Sequence, residues 1–358
     1  MTKKNLFSNS IRQLEGGIVF RLYFLLSITI FFSSCEKEPE NNPPANIGNG
    51  VYITNEGPYQ FGNAKVSYYD KINAVATEDL FAPANNRPLG DILQSMYIFN
   101  GKAYLVVNNS QKIEVVDPVT FVSSAIITGL GSPRYFLPIN DNKAYVTDFE
   151  SADGVSILDL NNNSVTGLIP LEGWTEELLL SNGKVFVTNL RSDKVYTINA
   201  TTDQLEDSIL VSYASVSIAE DKNGKLWTLC SGDEQKNFFG GLHRINPATL
   251  QVEQSFPFPN LTDSPWRLRM NATQDTLYFL NESVFRMAIS DNLLPATAFI
   301  PQGNHNFYGI GIDPETSTVY VSDAIDFVQR GVVYSYSPDG TMLNSFYAGI
   351  IPGEFWFD

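Results

Sequence analysis

One phrase recurs along this chain and limits the folds open to it more than any other feature. YITN at Tyr52, YVTD at Tyr145, FVTN at Phe186 and YVSD at Tyr320 are variants of a single short strand. Aligned on the opening aromatic, with Tyr104, Trp227 and Tyr278 marking the remaining copies, the phrases lie 52, 41, 41, 41, 51 and 42 residues apart. A second marker follows each one. It is Asp70, Asp117, Asp159, Asn199 or Asn246 at the close of an alternating strand, then Ser290 and Ser337 in the last two copies. Two markers with one period define a structural repeat.

Each unit reads as four short strands. The third copy runs RYFLPI, KAYVTD, GVSILDL and SVTGLIPL, parted by turns such as Asn140-Asp141-Asn142 and Asn161-Asn162-Asn163, where Asn and Asp hydrogen-bond their own backbone. No stretch sustains a helical apolar period. Four strands every 40–45 residues describe a β-propeller blade. The expected fold is therefore all-β, a seven-bladed propeller over residues 51–358 with about 44 residues per blade. The first unit lacks a leading strand, and the terminal IIPGEFWFD aligns with the leading strands SPRYFLPI and SPWRLRM. Glu354–Asp358 is expected to pair beside Val51–Asn55, completing the first blade and removing an open edge. Two separate all-β domains would leave that strand unexplained. FVTN, YVTD and the V-x-x-I-N strands that follow resemble the YVTN-type, YncE-like propeller repeat across nearly all of the chain after residue 50. That resemblance implies a fold and leaves activity open.

The N-terminus has another character. Lys3, Lys4, Arg12 and Arg21 precede the apolar run LYFLLSITIFF, and Ser33-Ser34-Cys35 follows. This pattern predicts a signal peptide over residues 1–34, too short in its apolar part for a comfortable span. A small-residue pair before cysteine resembles a bacterial lipobox, which implies lipidation of Cys35 and an outer-membrane anchor. The alternative is an ordinary signal peptide with a chance cysteine. Residues 35–50, rich in Pro, Asn and Glu, read as a flexible tether. Glu36, Lys37 and Glu38 resemble the surface-export signal of Bacteroidetes lipoproteins, which implies exposure at the cell surface. Removing residues 1–34 takes four of 23 basic and one of 39 acidic residues, leaving 19 against 38 and a net charge of −19. Such a charge opposes nucleic acid and anionic lipid surfaces. The expected partner is neutral, cationic or recognised through local features.

In a propeller the loops between second and third strands and the blade-to-blade connections share one face, around the channel mouth. Three such loops are long: Asn55–Asn63, Cys230–Gly241 and Asp323–Gly331. They carry Tyr59 and Phe61, Phe238 and Phe239, and Phe327 with Arg330. The connections add Arg87, Arg134, Trp174, Trp266, Arg267, His305, Phe307 and Tyr308. Aromatic surfaces beside polar donors suit a large, flat, amphipathic small molecule or a glycan. The competing reading is packing between blades, above all for Trp174 and Trp266, which sit near strand starts.

Catalytic patterns are scarce. The only histidines, His243 and His305, and the only cysteines, Cys35 and Cys230, form no recognisable metal set, and no cofactor is expected. Asp221-Lys222-Asn223-Gly224 lacks the alternating acids of a calcium loop and reads as a hairpin turn. Gly309-Ile310-Gly311 lacks the third glycine of a dinucleotide site, and no GxSxG occurs. His305 is the one candidate general base. Asp148, Glu150, Glu282 and Asp323 each follow a core strand and read as turn caps. The chain is expected to bind rather than catalyse.

Leu89–Phe121, LGDILQSMYIFNGKAYLVVNNSQKIEVVDPVTF, resembles the matching part of Bacteroidetes surface propellers, among them lipoproteins that capture cobalamin. That resemblance implies a corrinoid ligand held by loop-face side chains and a TonB-dependent outer-membrane receptor as partner. Two alternatives stand beside it. One is a surface adhesion or protein-interaction scaffold; the other is a propeller hydrolase or lyase acting on a glycan or lactone.

Overall fold

A computed structural model describes residues 48–149 and 154–358. Leader, Cys35 and most of the tether lie outside the described residues, as does Glu150. The described chain forms seven antiparallel sheets arranged as a propeller. Blade 2 shows the plan: Leu93–Phe99 innermost, then Lys102–Val107, Lys112–Val116 and Ser123–Ile127 at the rim. Blade 1 closes as the sequence implies. Pro352–Phe357 pairs antiparallel with Gly50–Asn55, setting Val51 opposite Phe357 and Tyr52 opposite Trp356. Blade 6 departs from the four-strand expectation. Its sheet has Trp266–Met270, Thr276–Asn281 and Ser283–Ala288 only, and its outer position is met by a single bridge between Val284 and Ile300.

The packing explains the repeated phrase. Successive strand residues point to opposite faces of a sheet, and here both faces of each blade are buried against a neighbour. Tyr145 packs with Val185 and Val187 of blade 4, while Ala144 and Val146 on either side of it pack with Tyr104 and Val115 of blade 2. The apolar core consists of seven such clusters, one per blade interface. Each holds one phrase aromatic: Tyr52, Tyr104, Tyr145, Phe186, Trp227, Tyr278 or Tyr320, all no more than 4% exposed. The second marker has a local task. Asp70 accepts from the Ile72 and Asn73 amides at 2.8 and 3.0 Å, and Asn199 from those of Thr201 and Thr202 at 2.9 and 3.1 Å. These side chains close the turn between third and fourth strands. One short α-helix interrupts the pattern among the described residues, α1 at Phe81–Asn85, in the connection from blade 1 to blade 2. Among the described residues no helix is long and apolar enough to cross a membrane.

Candidate functional site

The loop face is built on an irregularity common to all seven innermost strands. Each gains one residue over its partner two or three positions from its start. Pro133 faces Asp148 and Phe136 faces Val146, so three steps on one strand match two on the other. The same slip occurs in the other six blades. A β-bulge re-aims side chains and leaves backbone groups without ladder partners. The repeated phrase supplies those partners. Its hydroxyl, three residues into YVTD, accepts the Tyr135 amide through Thr147 Oγ1 at 3.0 Å. Thr54 takes the Glu354 amide at 3.0 Å and Ser322 the Gly309 amide at 2.8 Å. Thr188 donates to the Glu177 carbonyl at 3.2 Å, and in blade 5 a hydroxyl one position earlier in the phrase, Thr228, donates to the Ser217 carbonyl at 3.1 Å. Blades 2, 5 and 6, with Val106, Leu229 and Leu280 at that position, lack the hydroxyl.

The bulges turn a ring of polar side chains into the channel mouth. Gln94, Arg134, Glu176, Ser217, Arg267 and Tyr308 line a cavity of about 450 Å³ with Trp174 and Trp266 as apolar walls. Blade 1 contributes differently. Its ring position is Gly353, where an added Cβ would stand 3.2 Å from the Glu56 carboxylate, so the missing side chain leaves room for Glu56 from the adjoining loop. Arg134 pairs with Glu176 at 2.7 Å and donates to Gln94 at 2.5 Å. Below them Arg269 bridges Glu177 at 3.0 Å and Glu354 at 2.6 Å. Arg267 also pairs with Glu354, and it donates to Tyr135 Oη at 3.0 Å. Tyr308 donates its hydroxyl between the two Glu56 oxygens, at 2.9 and 3.0 Å.

Burial sets the electrostatics here. It raises the carboxyl pKa of Glu56, Glu176 and Glu177, and the neighbouring arginines only partly offset it. Glu354 feels the same burial, but Arg267 and Arg269 outweigh it and hold its pKa below the ordinary value. Burial likewise raises the Tyr308 phenol, with Glu56 adding to the effect.

The expected site residues separate into three groups. Arg134, Trp174, Trp266 and Tyr308 converge on the cavity, although both tryptophans also pack. Trp174 stacks on Phe149 with centroids 3.7 Å apart, and Trp266 meets Tyr308 edge-on at 4.8 Å. Tyr59, Phe61, Phe238, Phe239 and Phe327 stand on loop tips of the same face and are 62, 76, 45, 49 and 40% exposed. The remainder are engaged elsewhere. Phe307 is 5% exposed and packs in the interface between blades 6 and 7, so it is a core residue and not part of the face. Arg87 pairs with buried Glu114 and covers Phe81. Arg330 pairs with Glu78 at 3.1 Å and lies over Tyr347. His305 Nδ1 is 2.8 Å from Asp323 Oδ2, at the rim.

Two of the acids singled out after core strands, Asp148 and Asp323, behave as caps. Asp148 accepts from the Gly131 and Ser132 amides at 2.8 and 2.5 Å, and Asp323 from those of Asn306 and Ile325 at 2.9 and 2.8 Å. Sequence reasoning missed Glu56, Gln94, Tyr135, Glu176, Glu177, Arg269 and Glu354. The available signal was positional: all but Glu56 and Arg269 lie two or three residues into an innermost strand, level with the phrase hydroxyl. Among the described residues no group of three His, Cys, Asp or Glu is placed to hold a metal ion.

Residues 49–336 match the family described as a domain of unknown function, DUF5074, and the chain belongs to that family. No curated protein sequence matches it significantly. Among solved structures it is similar to a quinoprotein alcohol dehydrogenase-like protein from Bacteroides thetaiotaomicron, with TM-score 0.66 and 17% identity, covering 86% of this chain and 78% of that one. The dihydro-heme d1 dehydrogenase NirN matches with TM-score 0.59 and 8% identity over 88% of this chain and 77% of its own. A computationally designed protein, Ika8, matches with TM-score 0.59 and 10% identity over 88% and 89%. At such identities these likenesses establish the propeller fold alone.

Proposed function

We propose that the loop face is a non-enzymatic capture surface for a large amphipathic ligand. One observation carries this reading: five aromatic side chains stand exposed on three loops of the face that opens into the cavity, and two of those loops also lend it Glu56 and Ser231. Tyr59 and Phe61 belong to blade 1 and Phe238 and Phe239 to blade 5, three blades away around the mouth. Exposed apolar groups clustered beside a polar cavity mark binding surfaces. Their tips would cover a ligand's flat faces while the cavity receives a polar substituent.

The resemblance of Leu89–Phe121 makes a corrinoid the first ligand to test, with a glycan next. A corrinoid is too large for about 450 Å³ and would lie across the tips. Anchoring through Cys35 and delivery to a TonB-dependent receptor at the cell surface complete the proposal. Calorimetric titration of residues 36–358 with cyanocobalamin tests it. Saturable one-to-one binding, weakened at least tenfold by Phe238→Ala/Phe239→Ala, is expected. No heat and no thermal stabilisation at high ligand concentration would remove the corrinoid assignment, and a glycan panel failing likewise would remove capture by this face.

A further inference from the structure

The channel mouth holds more acid than base. Four carboxylates, Glu56, Glu176, Glu177 and Glu354, meet three guanidiniums, Arg134, Arg267 and Arg269. Glu176 is matched by Arg134, and Glu177 and Glu354 share Arg269, with Arg267 also on Glu354. Glu56 is the remaining acid. Its closest cation is Arg267 at 3.8 Å, and its one hydrogen-bond donor among the described residues is the Tyr308 hydroxyl. A carboxylate can accept about four hydrogen bonds, so Glu56 has acceptor capacity facing the cavity. Glu176 adds to it, because Arg134 engages only its Oε1. Trp266 and Tyr308 stand beside Glu56 as aromatic walls, surfaces that attract N–H donors and cations. Gly353 is what allows Glu56 to sit there.

We infer that the cavity at the channel mouth receives an N–H donor group of the ligand, a primary amide or an ammonium, seated on Glu56 between Trp266 and Tyr308. The inference rests on the capture reading and adds to it the chemistry of the anchored substituent. It excludes a carboxylate or phosphate at that seat, because such a group would meet an unmatched acid in a poorly solvated site. An ammonium would supply the charge that burial denies Glu56, and an amide would supply hydrogen bonds without charge.

Three aromatic fragments of one shape separate these outcomes: benzylamine, benzamide and benzoate, titrated against the protein by ligand-observed NMR. Benzylamine or benzamide is expected to bind saturably and benzoate not. Glu56→Gln is expected to weaken benzylamine at least tenfold. Benzamide should change less, since the glutamine carbonyl still accepts; its preference over benzylamine in the wild type would identify an amide seat. Benzoate binding as tightly as benzylamine, benzylamine binding unaffected by Glu56→Gln, or no binding by either donor fragment would overturn the inference. Those results leave capture by the loop tips standing, because Phe238→Ala/Phe239→Ala tests the tips with cyanocobalamin and not with fragments.

Discussion

The two faces of the propeller use polar residues in opposite ways. On the turn face, Asp and Asn side chains answer their own backbone: Asp117 accepts from Val119 and Thr120, and Asn246 from Ala248 and Thr249. Those groups stay near water and act within three residues of themselves. On the loop face, polar side chains from different blades meet in the channel. Arg269 of blade 6 reaches Glu177 of blade 4 and Glu354 of blade 1. Local satisfaction makes the turn face much alike from blade to blade, and its longer-range pairs, such as Lys71–Asp313 at 3.0 Å and Lys222–Asp275 at 3.1 Å, join only adjacent blades. The loop face has no such uniformity, and its cross-channel pairs are where the chain has become particular.

The contrast gives a graded series in urea unfolding. Arg269→Met should cost the most, about 3 kcal/mol or more, because it leaves buried Glu177 without its cation and takes one of two from Glu354. Thr147→Val should follow at about 1–3 kcal/mol, since the Tyr135 amide in the bulge loses its acceptor away from water. Asp117→Ala should cost roughly 0.5–1 kcal/mol, its amides being free to turn to water. If Asp117→Ala proved as damaging as Arg269→Met, the division of labour between the faces would be wrong.

Acid and base should also tell the faces apart, with a smaller effect. Hydrogen bonds from Thr120 and Asn73 amides hold Asp117 and Asp70 below the ordinary aspartate value of 3.8. Their contribution is present above that value and lost as pH falls through the lowered folded values. Glu56, Glu176 and Glu177 are raised above 4.5 by burial. In the window above 4.5 the native state then binds more protons than the unfolded one, so stability falls as pH rises through the raised values. Thermal midpoints measured across that window should decline in the wild type and decline less in Glu56→Gln. Parallel curves would place the titration elsewhere.

Much of this architecture was legible in the sequence because it is periodic. The phrase aromatics mark the blade interfaces, and Pro352–Phe357 closes blade 1 where the terminal strand's alignment placed it. Blade 6 escaped because Ser290–Phe299 holds no alternating run, and the chain there pairs only through Ile300. The loop-tip aromatics could be found because long loops stand out against short ones. The channel acids could not be found that way. Glu176 and Glu177 read as ordinary polar strand residues until the bulge turns them inward, and bulge geometry has no single-residue signature. Phe307 erred in the other direction: neighbouring a loop in sequence, it begins a strand whose first side chain faces the adjacent blade.

Hydrogen exchange of the protein with and without cyanocobalamin tests the central claim most directly. The account predicts slowed exchange in the loops 56–64, 231–240 and 324–329 and at the starts of the innermost strands, with the turn face unchanged. Protection confined to the turn face or to the outer strands, or none at saturating ligand, would contradict it.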